Sequence, residues 1–180
     1  MLKLFWVFLS GTVFLAGCAS TFIEPVSGLT AKLRVRSAGP IPYTWIHTFE
    51  KPNCQGKQLM GEIGNRGTHP ATVPSAHNPK GMIGSAATPD RNIIEQIIPA
   101  KQTTILFTLH DTNSSAIYNL SCKLAFSFTA EAGAEYEIKY GYSSTQCFAS
   151  AERLRFIDGK VVRELVRDAK NMDDCISSWF

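Results

Sequence analysis

An antiparallel β-sandwich or small barrel is the fold class this sequence predicts. Three observations carry the prediction. Several segments alternate apolar and polar residues with period two, turns rich in Gly, Pro and Asp separate them, and one Asp-Gly pair sits between two β-rich runs. Eight or so short strands spaced in this way bury one face each, and an antiparallel sandwich or barrel is how they bury it together.

The elements follow in order from Leu29. Ala31, Leu33 and Val35 alternate with Lys32, Arg34 and Arg36, which marks a strand with one buried face. Gly39-Pro40 turns the chain into residues 43–49, where Tyr43, Trp45 and Phe49 share a β-rich run. Residues 51–91 break the pattern with Pro52, Pro70, Pro74, Pro79 and Pro89, and form a long irregular loop. A short strand is expected inside it at 58–63, and the apolar pair of Gly81-Met82-Ile83-Gly84 docks on the core.

Residues 93–98 and 103–109 are two strands separated by Pro99. Residues 123–129 place Leu124, Phe126 and Phe128 on one face, and Glu131-Ala132-Gly133 makes a tight connection to 136–140. Residues 148–156 and 160–165 flank Asp158-Gly159 as a hairpin. Beyond it Val162, Leu165, Val166, Ala169 and Met172 fit helical spacing, while 161–165 also fit a strand. A strand followed by a short helical turn at 167–173 is expected.

The N-terminus carries the most specific signal. Lys3 precedes an uncharged, largely apolar run from Leu4 to Gly17, shorter than the ~20 residues needed to span a bilayer. A basic start, a short apolar run and small residues make a secretory signal peptide. Leu15-Ala16-Gly17-Cys18 resembles the lipobox of bacterial lipoproteins. The resemblance implies a diacylglyceryl group on the Cys18 thiol, cleavage before Cys18, and acylation of the new amino group. Two or three chains on one cysteine anchor stably where one does not. Ala19, rather than Asp, at the next position implies the outer membrane. The organisation expected is therefore a signal peptide at 1–17, a lipidated tether at 18–28 reaching at most ~35 Å, and one β-rich domain at 29–180.

A formal net charge of +3 without a Lys/Arg cluster excludes a nucleic-acid partner. Four cysteines follow Cys18, and an even number in an oxidising compartment predicts two disulfides. A turn centred on Asp158-Gly159 sets Cys147 opposite position 170. The C-terminal segment then curls Cys175 back to Cys147, leaving Cys54 for Cys122. A hairpin centred near Ala132 would instead set Cys122 opposite about position 142, on an extended strand.

Catalytic constellations do not emerge. His110-Asp111 followed by Ser114 and Ser115 groups the right residue types, but a polar turn accounts for them, and neighbouring strand residues face opposite ways. His69 and His77 have no placed third ligand, and no cysteine has metal-ligand spacing, so neither metal nor cofactor is expected. Glu131, Glu135 and Glu137 are a cation candidate that a solvated strand face explains equally well. Tyr136, Tyr140 and Tyr142 share parity and line one face, of a core or of a binding surface.

From Cys122 to Cys147, a cysteine, Phe-x-Phe, Ala-Gly-x-x-Tyr and a second cysteine resemble small β-rich lipoproteins of Gram-negative bacteria whose activities are unassigned. The functional expectation is a non-enzymatic envelope lipoprotein on the periplasmic face of the outer membrane, a binding or structural module with a protein partner. The alternative is an inhibitor or adaptor that captures a protein such as a hydrolase.

Overall fold

The computed structural model describes residues 20–39, 41, 43–64, 79–85, 90, 92–110, 121–143 and 146–177. Its strands are β1 (Ser20–Thr21), β2 (Thr30–Ser37), β3 (Thr44–Phe49), β4 (Lys57–Ile63), β5 (Ile93–Pro99), β6 (Gln102–His110), β7 (Ser121–Thr129), β8 (Glu135–Ser143), β9 (Gln146–Ile157), β10 (Lys160–Leu165) and β11 (Lys170–Asn171), followed by the helical turn α1 (Asp174–Ser177). Two sheets form, ordered β1-β4-β3-β6-β7-β11 and β10-β9-β8-β2-β5. Both end in edge strands, so the architecture is a sandwich and not a closed barrel.

The expected fold class holds, with one correction to strand direction. Each sheet is mixed: β1 runs parallel to β4, and β2 parallel to β8. For β8 the cause is the connection 130–134. Its glycine and alanines carry the chain from β7 in one sheet to β8 in the other, so β8 enters beside β2 from the same end. Parallel neighbours require such crossovers.

Period-two alternation sets the core. Leu33 and Val35 of β2, Ile46 of β3, Ile105 and Phe107 of β6, Phe128 of β7 and Ile138 of β8 are essentially unexposed. Tyr136 and Tyr140 resolve to the core face of β8. Phe107 stacks on Tyr140 at 4.5 Å between centroids, and Phe128 meets Tyr136 at 5.1 Å. Each of these pairs joins one sheet to the other, and each buried ring contributes roughly 1.5–3 kcal/mol. Asp158 and Gly159 take the positive φ angles of a tight hairpin turn and join β9 to β10 as expected.

Several boundaries move. The strand suspected inside the long loop is β4, Met82 is buried and Ile83 half-buried. Residues 18–28 are not wholly tether. Ser20 and Thr21 pair with Gln58 and Leu59, the Phe22 N–H donates to the Leu59 carbonyl at 2.8 Å, and the Phe22 side chain packs on the core. The Glu24 carboxylate accepts from the Ile97 N–H at 2.9 Å and from Lys80 Nζ at 2.8 Å. The unpaired edge of β4 and the apolar rim beside it capture this segment.

The helical turn expected at 167–173 lies at Asp174–Ser177 instead. Lys170 and Asn171 pair with Ser127 and Phe126, because the β7 edge offers backbone partners before the helix starts. Asp168 accepts from the Thr129 N–H at 3.0 Å, and the Met172 N–H donates to the Ala125 carbonyl at 2.8 Å.

All four cysteines are paired, but not as Cys147–Cys175 and Cys54–Cys122. The bonds are Cys54–Cys175 and Cys122–Cys147, with Cα atoms 5.5 and 6.2 Å apart. The expectation treated 122–147 as one flat hairpin. Because β7 and β8 lie in different sheets, Cys122 sits across the sandwich from Cys147, the register partner of Tyr142. Past β10 the chain leaves the second sheet for the outer face of the first, which brings Cys175 to the β3–β4 connection and Cys54.

Peptide mapping of the oxidised protein is expected to return Cys54–Cys175 and Cys122–Cys147 and no other pair. In the chain-entropy model, sequence separations of 121 and 25 residues correspond to roughly 5 and 3.5 kcal/mol. Denaturant melts of Cys54→Ala/Cys175→Ala should therefore show a larger loss than Cys122→Ala/Cys147→Ala.

Candidate functional site

The two outer faces of the sandwich are built differently. On the β10-β9-β8-β2-β5 sheet, the polar half of each alternation supplies ions. Arg34 lies at register between Glu95 of β5 and Glu137 of β8. Its Nε and Nη2 donate to Glu95 Oε1 at 2.9 and 2.7 Å, and its Nη1 donates to Glu137 Oε2 at 3.1 Å. Residues 79–85 cross above these charges as a strap. The Lys80 N–H donates to Glu95 Oε2 at 2.7 Å, Ser85 Oγ bridges Arg34 and Glu95, and the Ile83 N–H donates to Glu135 Oε2 at 2.6 Å. Arg34 is left 3% exposed and Glu137 fully buried.

Glu131, Glu135 and Glu137 are each turned to a cation of the protein: Arg153, Lys32 and Arg34 respectively. They do not converge on a common point. Burial opposes ionisation of Glu95, but the Ser85 hydroxyl, the Arg34 guanidinium and the Lys80 N–H outweigh it and hold the carboxyl below the usual range. This face is closed by its own ion pairs.

Among the described residues, the outer face of the other sheet is not closed in that way. Thr44, Ile46 and Thr48 of β3 take the core side, so Trp45, His47 and Phe49 face outward. Phe49, Leu106 and Ala125 are covered at one end by Cys175 and its disulfide partner, with Met172 and Ile176. Beside this cover a groove of about 340 Å³ remains, lined by Trp45, His47, Lys57, Leu59, Leu106, Thr108, Lys123 and Ile176. Trp45 is held by its Nε1–H, which donates to the Tyr43 hydroxyl at 2.7 Å, and by edge contact with the Tyr43 ring.

The groove is mainly apolar and carries two lysines. Burial lowers the Lys57 pKa to about 8, and Lys123 adds repulsion. Burial also lowers the His47 pKa to about 4, with Lys57 contributing, so the imidazole is neutral at pH 7. An apolar group with a negative charge suits this arrangement: it covers Trp45 and Leu59 and relieves the Lys57–Lys123 repulsion. Among the described residues no three His, Cys, Asp or Glu side chains gather as metal ligands, and no helix is long and apolar enough to cross a membrane.

Of the residues singled out in the sequence, Trp45 lines the groove and Phe49 lies under the C-terminal cover beside it. Tyr142 is half-buried on the core side of β8. The β6 backbone ends at His110, and Asp111, Ser114, Ser115, His69, His77 and Cys18 lie outside the described residues. His47, Lys57, Leu59, Lys123 and Ile176 carried no sequence motif. For the first four the signal was outward parity on β3, β4 and β7; Ile176, in α1, had none. The chain matches no protein-family model and no curated protein.

Two outcomes follow from these faces. Arg34→Ala leaves Glu95 and Glu137 buried without their guanidinium and should cost about 3–5 kcal/mol in denaturant melts. His47 binds its proton at pH 6.5 in the unfolded chain but only near 4 in the fold. The unfolded state therefore takes up the proton first, and stability is lost as pH falls from 6.5 to 4, by about 2–3 kcal/mol. Thermal melts across that window should show the loss in the wild type and a flatter profile in His47→Gln.

Proposed function

We propose that this protein is a non-enzymatic envelope lipoprotein, anchored by lipid on Cys18 to the periplasmic face of the outer membrane, that binds an envelope protein through the groove beside α1. The observation carrying the reading is the contrast between the two outer faces. One is sealed by residues 79–85 over paired ions. The other presents Trp45, Leu59 and Leu106 beside Lys57 and Lys123. Concave apolar surface with a few placed polar groups is the usual form of a binding site. The occupant that suits it is an acidic, apolar segment of the partner, whose charge faces the two lysines.

A photo-crosslinking residue at Leu59 in the full chain, expressed in cells, is expected to give a discrete adduct. Lys57→Glu/Lys123→Glu should reduce that adduct at least tenfold, with the melting temperature retained. An adduct indifferent to the charge reversal overturns the groove reading. Incorporation of labelled palmitate tests the anchor separately: wild type should label and Cys18→Ser should not.

A further inference from the structure

We infer that one end of the sandwich is seated on the lipid bilayer, with Val26, Leu29, Phe156 and Ile157 entering its interface. The inference rests on the reading that Cys18 is lipidated and adds where the folded domain then lies.

Strand register defines that end. β2 begins there, since Thr30 pairs with Pro99 at the end of β5. β8 begins there too, since Lys32 pairs with Glu135, and β9 leaves Leu154, the partner of Glu135, to run on to its tip at Ile157. In the β1-β4-β3-β6-β7-β11 sheet, β6 starts and β7 finishes at this end, with Gln102 paired to Thr129. Lys101 Nζ donates to the Glu50 carbonyl at 3.2 Å, which places the β3–β4 connection at the same end.

The N-terminal segment leaves from this end as well. β1 runs parallel to β4, and Ser20 pairs with Gln58 near the start of β4. Ser20 Oγ donates to the Lys57 carbonyl at 3.3 Å. β1 therefore points its N-terminal side, at Ser20, toward the end just defined. Cys18 is two residues before Ser20, a reach of at most ~7 Å. Because Thr21, Phe22 and Glu24 are fixed to the domain, the domain has no long tether on which to stand away from the lipid.

Four of the seven exposed large apolar side chains among the described residues belong to the segments that meet at this end; Ile23, Phe148 and Leu165 are the others. Val26 is 99% exposed, Leu29 74%, Phe156 64% and Ile157 44%. Leu29 precedes β2 and is fixed by the Ala100 N–H, which donates to its carbonyl at 2.9 Å. Phe156 and Ile157 lie at the β9–β10 tip, two strands from β2 in the sheet order, about 10 Å away. Lys51, Lys101 and Lys160 lie around them beside Glu50 and Asp158, and Glu131 is paired with Arg153, so the charge here is mixed. Apolar contact, not charge, therefore carries the seat. Phe148 provides an internal contrast. It is 49% exposed but pairs with Gly141 at the opposite end of β9.

The full, lipidated protein reconstituted in phosphatidylethanolamine–phosphatidylglycerol vesicles tests this with benzoylphenylalanine at position 156 or at position 148. Both sites are exposed, so each variant keeps the core. Position 156 should give at least tenfold more phospholipid adduct than position 148. Equal yields, or protein adducts at 156 in place of lipid, overturn the seat in a protein that does incorporate labelled palmitate. A wild type that incorporates none overturns the anchor reading and the seat with it.

Discussion

The guanidinium of Arg34 is the charge around which much of this fold is arranged. A buried cation in the middle of a sheet is tolerable only with ionic partners and full hydrogen bonding. β5 and β8 each present one glutamate at register, and the strap at 79–85 excludes water above them. The arrangement then propagates outward. Glu95 also holds the Lys80 backbone, Lys80 Nζ holds Glu24, and Glu24 accepts from the β5 backbone at Ile97. A continuous polar path thus links the centre of the sheet to the N-terminal segment.

That path assigns different work to the two faces. Ions and strap close one side, so it has little apolar surface to offer. Among the described residues the other side is covered only in part, by the C-terminal segment, and the rest of it combines Trp45 and Leu59 with two lysines that repel each other. With the proposed lipid seat at the end where β4 begins, the groove runs up the side of the standing domain. A partner would then approach along the membrane, not down onto it.

The sequence was legible wherever a residue's neighbours along the chain decide its state. The alternation in β2, the Asp158-Gly159 turn and the Leu124, Phe126, Phe128 face of β7 all read directly, since they depend on local backbone geometry and parity. Which sheet a strand joins was not legible. Residues 130–134 look alike whether they fold β8 back on β7 or carry it to the opposite layer, and both disulfide partners turn on that choice. Ser20 to Glu24 read as tether because their partners lie far away in sequence, on β4 and β5 and at Lys80. In the groove, Trp45 was conspicuous by type, whereas Lys57 and Lys123 are ordinary surface residues until the four strands β4, β3, β6 and β7 set them on one face.

The Cys54–Cys175 bond joins positions 121 residues apart, and this has a consequence for biogenesis. If the chain is exported as proposed, N-terminus first, Cys54 reaches the oxidising side long before Cys175. Through that interval the thiol of Cys54 has no native partner, and Phe49, Leu106 and Ala125 lack their cover. Completion of the domain therefore waits on its last segment. A chain stalled or clipped before residue 175 would present a reactive thiol and an uncovered apolar surface together, the pair of signals by which thiol-exchange catalysts and proteases distinguish unfinished proteins from finished ones.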